Sequence, residues 1–310
     1  MFDRVVAFDW AKSWHGRAAC CATRDGRAWR LDGPFNWQEA QRFLQNHGVQ
    51  TLIGFDHPIG VPAWYGEQVA KRFGILDFPS LLQNLGTDPW QNFNQLCAEP
   101  IDITLTRPFY PAASRGSRRT ELVESLGAPD FSALMRACEY KTSERSRPAQ
   151  SLFWTSGPSV GRAALAGWYE IIKPMRRAGA KIWPFDGALA GLAGAKPVIA
   201  EIYPAEAYQH LGLPKPPRPK ANPKQRLAVT PALKEFTAKR NHHLSHELRA
   251  EMMIGFTDDH SFDAFCGLLS MLDVAGGRRN ERAVNSDDCL SWEGWILGQT
   301  SNGKIDDTGL

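Results

Sequence analysis

The stretch Arg4-Val5-Val6-Ala7-Phe8-Asp9-Trp10-Ala11 is an apolar run that closes on a single carboxylate. Continuous apolar runs of this length are typical of a buried strand, and the acid would then stand at its carboxyl end. An ionised carboxylate beside a buried strand is costly unless it is paired or hydrogen-bonded. Asp9 is therefore expected to have partners elsewhere in the chain.

Three other acids occur in comparable settings. Each lies in or directly after an apolar segment: Asp56 after residues 51–55, Glu201 within residues 198–203, and Asp263 within a helical pattern over 262–275. One acid in such a place often serves as a turn or helix cap. Glu201 also has Lys196 and Arg226 as possible ion-pair partners. Four acids in similar places favour one shared acidic site.

The order of elements near the N-terminus brings two of these acids together. Residues 4–9, 17–23 and 28–31 predict a three-stranded antiparallel meander that ends at Gly33-Pro34. A helix over residues 37–46 then allows the run 51–55 to lie parallel to the first strand. Asp9 and Asp56 would consequently meet at the same edge of a mixed sheet.

The following segment, residues 62–180, has short helical patterns interrupted by Pro, Gly, Trp and Arg. We expect a largely helical insertion or cap, because structureless loops of this length are uncommon. The predicted organisation is a core from residues 1–61 and 181–280, the insertion, and a C-terminal extension over 281–310. The expected class is α/β.

Composition favours an ordinary globular protein, with 310 residues and 43% hydrophobic content. The N-terminus lacks the features of a signal peptide, and no apolar run approaches the roughly 18 residues that span a bilayer. We expect a cytoplasmic protein without membrane contact. The six cysteines have no metal-binding spacing and are expected to be buried and reduced.

The net charge of +3 conceals two basic segments. Residues 107–181 hold 13 Lys and Arg against 6 Asp and Glu, and residues 214–249 hold 9 against 2. Two interpretations stay open: solvated surfaces, or attraction of a phosphate-bearing partner such as DNA or RNA. In the second case the candidate phosphate-binding residues are Lys12, Arg107, Arg115, Lys224 and Arg226.

The acids suit a hard divalent cation, Mg²⁺ or Mn²⁺, which binds carboxylate oxygens and leaves positions for water and phosphate. Two such ions can bind the attacking and leaving oxygens of a phosphodiester displacement. The candidate metal ligands are Asp9, Asp56, Asp263 and Asp259, with Glu201 or His260 orienting or deprotonating water. Asp259 has an alternative role as a helix cap.

Four short motifs carry the candidate acids: Val5 to Asp9, Ile53 to Gly60, Ala200 to Pro204, and Asp263-Ala264-Phe265. They resemble signatures of the DUF429 family, predicted nucleases with a ribonuclease H-like fold. The resemblance implies acidic positions at Asp9, Asp56 and Asp263, with Glu201 as a fourth. His260, three residues before Asp263, resembles the acid or histidine of Holliday-junction resolvases of that fold.

The leading hypothesis is thus a metal-dependent nuclease or phosphodiesterase, a hydrolase. Two alternatives remain. An ATP-dependent phosphotransferase of the actin and sugar-kinase type would need glycine-rich phosphate turns and a duplicated second half, and the chain shows neither signal. A non-catalytic nucleic-acid-binding protein would retain the fold with a degenerate site.

Overall fold

The computed structural model describes residues 2–45, 48–113, 116–145, 147–157, 159–194, 196–213, 220–282 and 286–300. Within these ranges seven strands form one mixed sheet. The strands are β1 (Arg4–Asp9), β2 (Ala18–Asp25), β3 (Ala28–Asn36), β4 (Thr51–Phe55), β5 (Lys181–Ile182), β6 (Val198–Glu201) and β7 (His242–Leu244).

The sheet order is β5-β6-β4-β1-β2-β3-β7. The meander β1-β2-β3 is antiparallel, β4 runs parallel to β1, and β6 and β5 continue the parallel half. The α/β class, the meander and the parallel placement of β4 confirm the sequence predictions. The helical crossover between β3 and β4 makes this possible, because it returns the chain to the same edge of the sheet.

Helices flank the sheet. They are α1 (Trp37–Gln45), α2 (Ala63–Phe73), α3 (Phe78–Asn84), α4 (Arg119–Leu126), α5 (Val160–Gly167), α6 (Lys173–Arg177), α7 (Leu189–Leu192), α8 (Pro204–His210), α9 (Pro223–Lys239), α10 (His246–Ile254) and α11 (Asp259–Ala275). Two π-helical turns, Trp168–Ile172 and Cys289–Glu293, and short 3₁₀ turns complete the assignment.

The two faces of the sheet bury different parts of the chain. Val5 and Ala7 of β1 face a core formed largely by α8 to α11. Val6 and Phe8, on the other face, pack with α1 and with apolar residues of the segment 59–175. This alternation, which follows from the period of two in a strand, decides where each acid points.

One strand is longer than expected, and two further elements complete the core. β3 continues through Gly33-Pro34 to Asn36, opposite a register shift in β2. α9 begins at Pro223, capped by Asn222, whose side chain accepts from the Lys224 amide. β7, which carries too few residues for a visible pattern, joins β3 in parallel. All six cysteines are buried and free, as expected.

The described residues from 62 to 180 contribute helices and turns to one face of the sheet and no strand to it. Residues 286–300 return to the sheet beside β6, where Ile296 forms a parallel bridge with Glu201. Across the described ranges, no helix combines the length and apolarity that a membrane crossing requires.

Candidate functional site

The carboxyl ends of β1 and β4 place two acids side by side. Phe8 pairs with Phe55 in the parallel register, and their rings stack at 5.0 Å on one face. The next residues in each strand, Asp9 and Asp56, therefore turn to the other face, toward α11. The Asp56 amide donates to the Phe8 carbonyl over 3.0 Å, which locks the two acids at the same level.

Helix α11 supplies the third acid. Asp258 caps the helix by accepting from the Ser261 amide at 2.7 Å. The cap is therefore Asp258 and not Asp259, for which that role was the alternative. Asp263 is 4% exposed and meets β1. Its carboxylate accepts from the hydroxyl of Tyr208 on α8 and is ion-paired with Lys220.

The three acids influence one another electrostatically. Burial, followed by the charges of Asp9 and Asp263, raises the pKa of Asp56 well above its usual range. Burial also raises the pKa of Asp263, to about 6, against the opposing effect of Lys220. Burial and like charge within the cluster therefore both oppose the ionisation of Asp56.

His260 lies on the same side of α11 as Asp263, because they are three residues apart. Its Nδ1 is 2.5 Å from Asp9 Oδ2, and this hydrogen bond is the main cause that raises the His260 pKa to about 9. Gly16 backs the ring: a Cβ there would lie 3.2 Å from Nε2. Asp259 contributes a smaller electrostatic effect on His260.

Trp10 does not occupy the space in front of Asp9. Being next in the strand, it points to the opposite face, where it is 4% exposed and packs edge-on against Phe55. Its indole N–H donates to the Ala163 carbonyl at 3.1 Å, and the guanidinium of Arg17 covers the ring at 3.7 Å. The Trp10 ring therefore lies on the other face of the sheet from Asp9, Asp56 and Asp263.

Glu201 does not join the other acids, and the expectation that it would is wrong in this respect. Glu201 is in register with Phe55, not with Asp56, so its side chain lies on the opposite face of the sheet. There both its oxygens accept from Arg136, at 2.7 and 2.8 Å, in a bidentate pair. The Ile59 amide donates to the same carboxylate. Glu201 is part of a buried ion-pair network.

The candidate phosphate-binding residues are scattered. Lys12 and Lys224 are exposed. Arg107 donates to the Leu96 carbonyl at 2.9 Å, within the helical segment. Arg226 is 1% exposed and donates to backbone carbonyls, so it cannot clamp a phosphate. Arg115 lies outside the described residues.

Two residues of the cluster were not predicted. Lys220 stood in a basic stretch where nothing distinguished it from its neighbours, and its carbonyl is held by Arg226 Nη1 at 2.6 Å. Arg226 therefore positions the backbone of the residue that pairs with Asp263. Tyr208 had no signal at all, since α8 was not recognised as a helix.

A second group of potential metal ligands lies elsewhere. Among the described residues, Glu144, Glu206 and His210 form the group whose ligand atoms all lie within 4.8 Å of one another. Arg145 donates to Glu206 at 2.9 Å, and Arg279 donates to Glu144 at 2.6 Å. Although burial opposes the effect, hydrogen bonds from His210 and Arg279 lower the pKa of Glu144 to about 2.

Arginines already neutralise both carboxylates of this second group, which marks it as an ion-pair network. A metal ion would have to displace them. Burial raises the pKa of Glu206 as well, but the next cause there, the charge of Arg145, lowers it. At Asp56 the next causes after burial, the charges of Asp9 and Asp263, raise the pKa further.

Comparison of the chain with models of known protein families, with curated proteins and with solved structures finds no match.

Proposed function

We propose that the protein is a divalent-metal-dependent nuclease or phosphodiesterase with a ribonuclease H-like core, as its resemblance to the DUF429 family implies. The observation that carries the proposal is the convergence of Asp9, Asp56 and Asp263 from β1, β4 and α11. The sheet supports it too, because an antiparallel meander followed by parallel strands is the arrangement that the resemblance implies.

The three carboxylates fit Mg²⁺ or Mn²⁺ in their chemistry. Hard cations bind carboxylate oxygens and leave coordination positions for water and substrate phosphate. Two acids here have raised pKa values, and Lys220 sits on Asp263 as a counterion. A divalent cation held by Asp9, Asp56 and Asp263 would offset the repulsion among these acids and would compete with Lys220 for Asp263.

A metal bound there would activate a water molecule and stabilise the departing oxygen of the phosphodiester. The protein's own groups have separate tasks. Asp9, on the first strand, holds His260 by the 2.5 Å hydrogen bond. Because this contact raises the His260 pKa to about 9, the ring is positively charged at neutral pH. His260 is then suited to donate a proton to the leaving group, rather than to deprotonate water.

The proposed substrate is nucleic acid, on account of the turn that follows β1. Trp14 is 50% exposed and packs against His15, with ring centroids 3.4 Å apart and the planes tilted by 31°. Gly16 of the same turn lies close enough to His260 that an added Cβ would come within 3.2 Å of the ring, and Lys12 is exposed at the start of the turn. An exposed aromatic face beside a cation is suited to stack a base and contact its phosphate. Such a platform favours unpaired bases.

The test is cleavage of single- and double-stranded DNA and RNA in Mn²⁺, with Asp9→Asn and Glu201→Gln as variants. Asp9→Asn is expected to lose cleavage by at least about 100-fold, the usual cost of a lost catalytic group. Glu201→Gln, on the other face of the sheet, should retain it wherever the variant is folded. Equal cleavage by wild type and Asp9→Asn, or none by wild type, would refute the proposal.

A further inference from the structure

A cavity of about 350 Å³ opens at the far end of the sheet, between α9, β7 and α10. Its walls include Leu244, Met252 and the side chain of Met253, which is 68% exposed. The volume lies within the range of small-molecule sites, at its lower end. None of the residues around Asp9 lines it.

One polar side chain in this apolar wall is not satisfied. His242 of β7 is 7% exposed and lines the cavity, and neither of its ring nitrogens has a hydrogen-bond partner. Burial is the main cause that lowers the His242 pKa to about 4, so the ring is neutral at pH 7. A neutral imidazole offers one N–H donor and one acceptor. Buried polar groups in folded proteins are nearly always partnered, and the His242 ring, in the wall of a cavity, is an exception.

Two exposed cations, Lys234 of α9 and Arg249 of α10, also line the cavity. Neither belongs to an ion pair among the described residues; Lys239, one turn beyond Lys234, is by contrast paired with Glu235 at 2.6 Å. The lining contains no acid. Apolar walls, a ring N–H and two cations are complementary to an anion that carries an apolar body.

We propose that this cavity is a binding site for a small monocarboxylate with an aliphatic or aromatic tail. The carboxylate accepts from the His242 ring and lies near Lys234 and Arg249. The tail packs against Leu244, Met252 and Met253. The site is separate from the acidic cluster and does not depend on the function proposed for that cluster.

Hydrogen bonds also connect the helices around the cavity to the acidic cluster of Asp9, Asp56 and Asp263. Arg226, at the start of α9, donates to the Gly255 and Phe256 carbonyls at the end of α10 and to the Lys220 carbonyl. Thr230 ties the same two helices through the Met252 carbonyl at 3.1 Å. The helices that form the cavity therefore also hold the residue that neutralises Asp263.

Octanoate and 4-phenylbutyrate are suitable probes, with octanol and 4-phenylbutanol as uncharged counterparts, in calorimetric and amide NMR titrations. The carboxylates are expected to bind saturably, at millimolar affinity or better, and about tenfold more tightly than the alcohols, the scale of one charge-assisted hydrogen bond. Amide shifts should centre on residues 234–253.

A matched pair of variants locates the site. Met253→Trp fills the cavity mouth from the solvent side and should weaken carboxylate binding at least about tenfold. Ile254→Trp changes the next residue, which is 57% exposed and does not line the cavity, and should bind like wild type. His242→Phe keeps the ring but removes both nitrogens, and should erase the preference for carboxylate over alcohol.

The proposal is overturned if neither carboxylate binds saturably, or if Met253→Trp binds as tightly as wild type. It is also overturned if the two tryptophan variants weaken binding equally. A change of oligomeric state in Met253→Trp but not in Ile254→Trp, seen by light scattering without ligand, would assign the cavity to a second copy of the chain instead.

Discussion

His260 Nδ1 lies 2.5 Å from Asp9 Oδ2, a contact that joins the end of β1 to the first turn of α11 across 251 residues. The hydrogen bond is the largest cause that raises the His260 pKa from 6.5 to about 9, and burial opposes it. The His260 side chain is 38% exposed, so solvent screens the pair and limits its energetic value. Among the described residues, it is nevertheless the one side-chain hydrogen bond that joins Asp9 to α11.

The pair predicts a specific pH dependence of stability. A histidine whose folded pKa is raised stabilises the fold fully below about pH 6.5, and this stabilisation disappears as the pH rises through 9. The free energy of unfolding of wild type should therefore exceed that of His260→Gln at pH 6, by about 1 kcal/mol or less for a partly exposed pair. The difference should vanish near pH 10. Urea unfolding measures it.

The control for this measurement is His243→Gln, since His243 is exposed on β7. It should behave like wild type at every pH. A difference between wild type and His260→Gln that stays constant from pH 6 to 10 would contradict the assignment of a protonated His260.

Asp56 changes stability in the same direction with pH as His260 does, but from a lower pH. Because its folded pKa is raised by burial and by Asp9, ionising Asp56 destabilises the fold, and stability falls as the pH rises above about 4. Asp56→Asn should raise the free energy of unfolding at pH 7 by on the order of 1 kcal/mol. The same variant should lose Mn²⁺ binding in calorimetry, because an amide is a poor replacement for the carboxylate. A less stable variant with unchanged Mn²⁺ affinity would refute both statements.

The positions of Asp9 and Asp56 could be predicted from the sequence, because they follow from the order of the strands. Asp9 and Asp56 each directly follow a continuous apolar strand, and a helical crossover sets those strands parallel, so the acids had to meet. Glu201 ends a similar strand, yet its register differs by one residue from that of Asp56. The pairing of Phe55 with Glu201, which places that acid on the other face, is set by backbone hydrogen bonds that leave no mark in an apolar run.

The remaining parts depend on contacts between distant segments. Lys220 reaches Asp263 because Arg226 fixes its backbone, and Tyr208 does so because α8 packs on α11. Neither residue has a periodic pattern around it. β7, with three residues, is similarly too short for alternation to show, yet it completes the edge of the sheet. Long apolar runs thus predicted the strands that place Asp9 and Asp56, and a helical pattern predicted the element that carries Asp263. Tertiary contacts decided the positions of Lys220 and Tyr208.

Lys220 is expected to compete with metal for Asp263. Lys220→Met removes the counterion, so Mn²⁺ no longer has to break a charge-assisted bond, and its affinity should rise about tenfold at pH 8. Calorimetric titration measures this directly. Lys224→Met, which removes an exposed charge a few residues away, is the matched control and should change the affinity little. Weaker Mn²⁺ binding by Lys220→Met would show that the lysine supports the site instead.

Glu201→Gln should affect stability and not the metal site. Breaking a buried ion pair by changing one partner leaves an uncompensated charge. Arg136 keeps Glu139 at 2.8 Å, so the loss should be about 3 kcal/mol, at the lower end of the usual range. Urea unfolding measures it, with Glu67→Gln in the exposed Lys71 pair as a control that costs almost nothing. Loss of Mn²⁺ affinity in folded Glu201→Gln would show that Glu201 contributes to metal binding after all.

Trp14 provides the last test, because it separates nucleic-acid binding from cleavage. Binding is measured in an Asp9→Asn background, by fluorescence anisotropy of a labelled single strand at fixed salt, so that cleavage does not interfere. Trp14→Ala should weaken binding about tenfold, as one lost base-stacking contact does. Ile101→Ala, at an apolar residue that is 90% exposed on the helical segment, should leave it unchanged. Trp14→Phe should restore most of the affinity. If all four proteins bind equally, the turn after β1 is not where the strand lies.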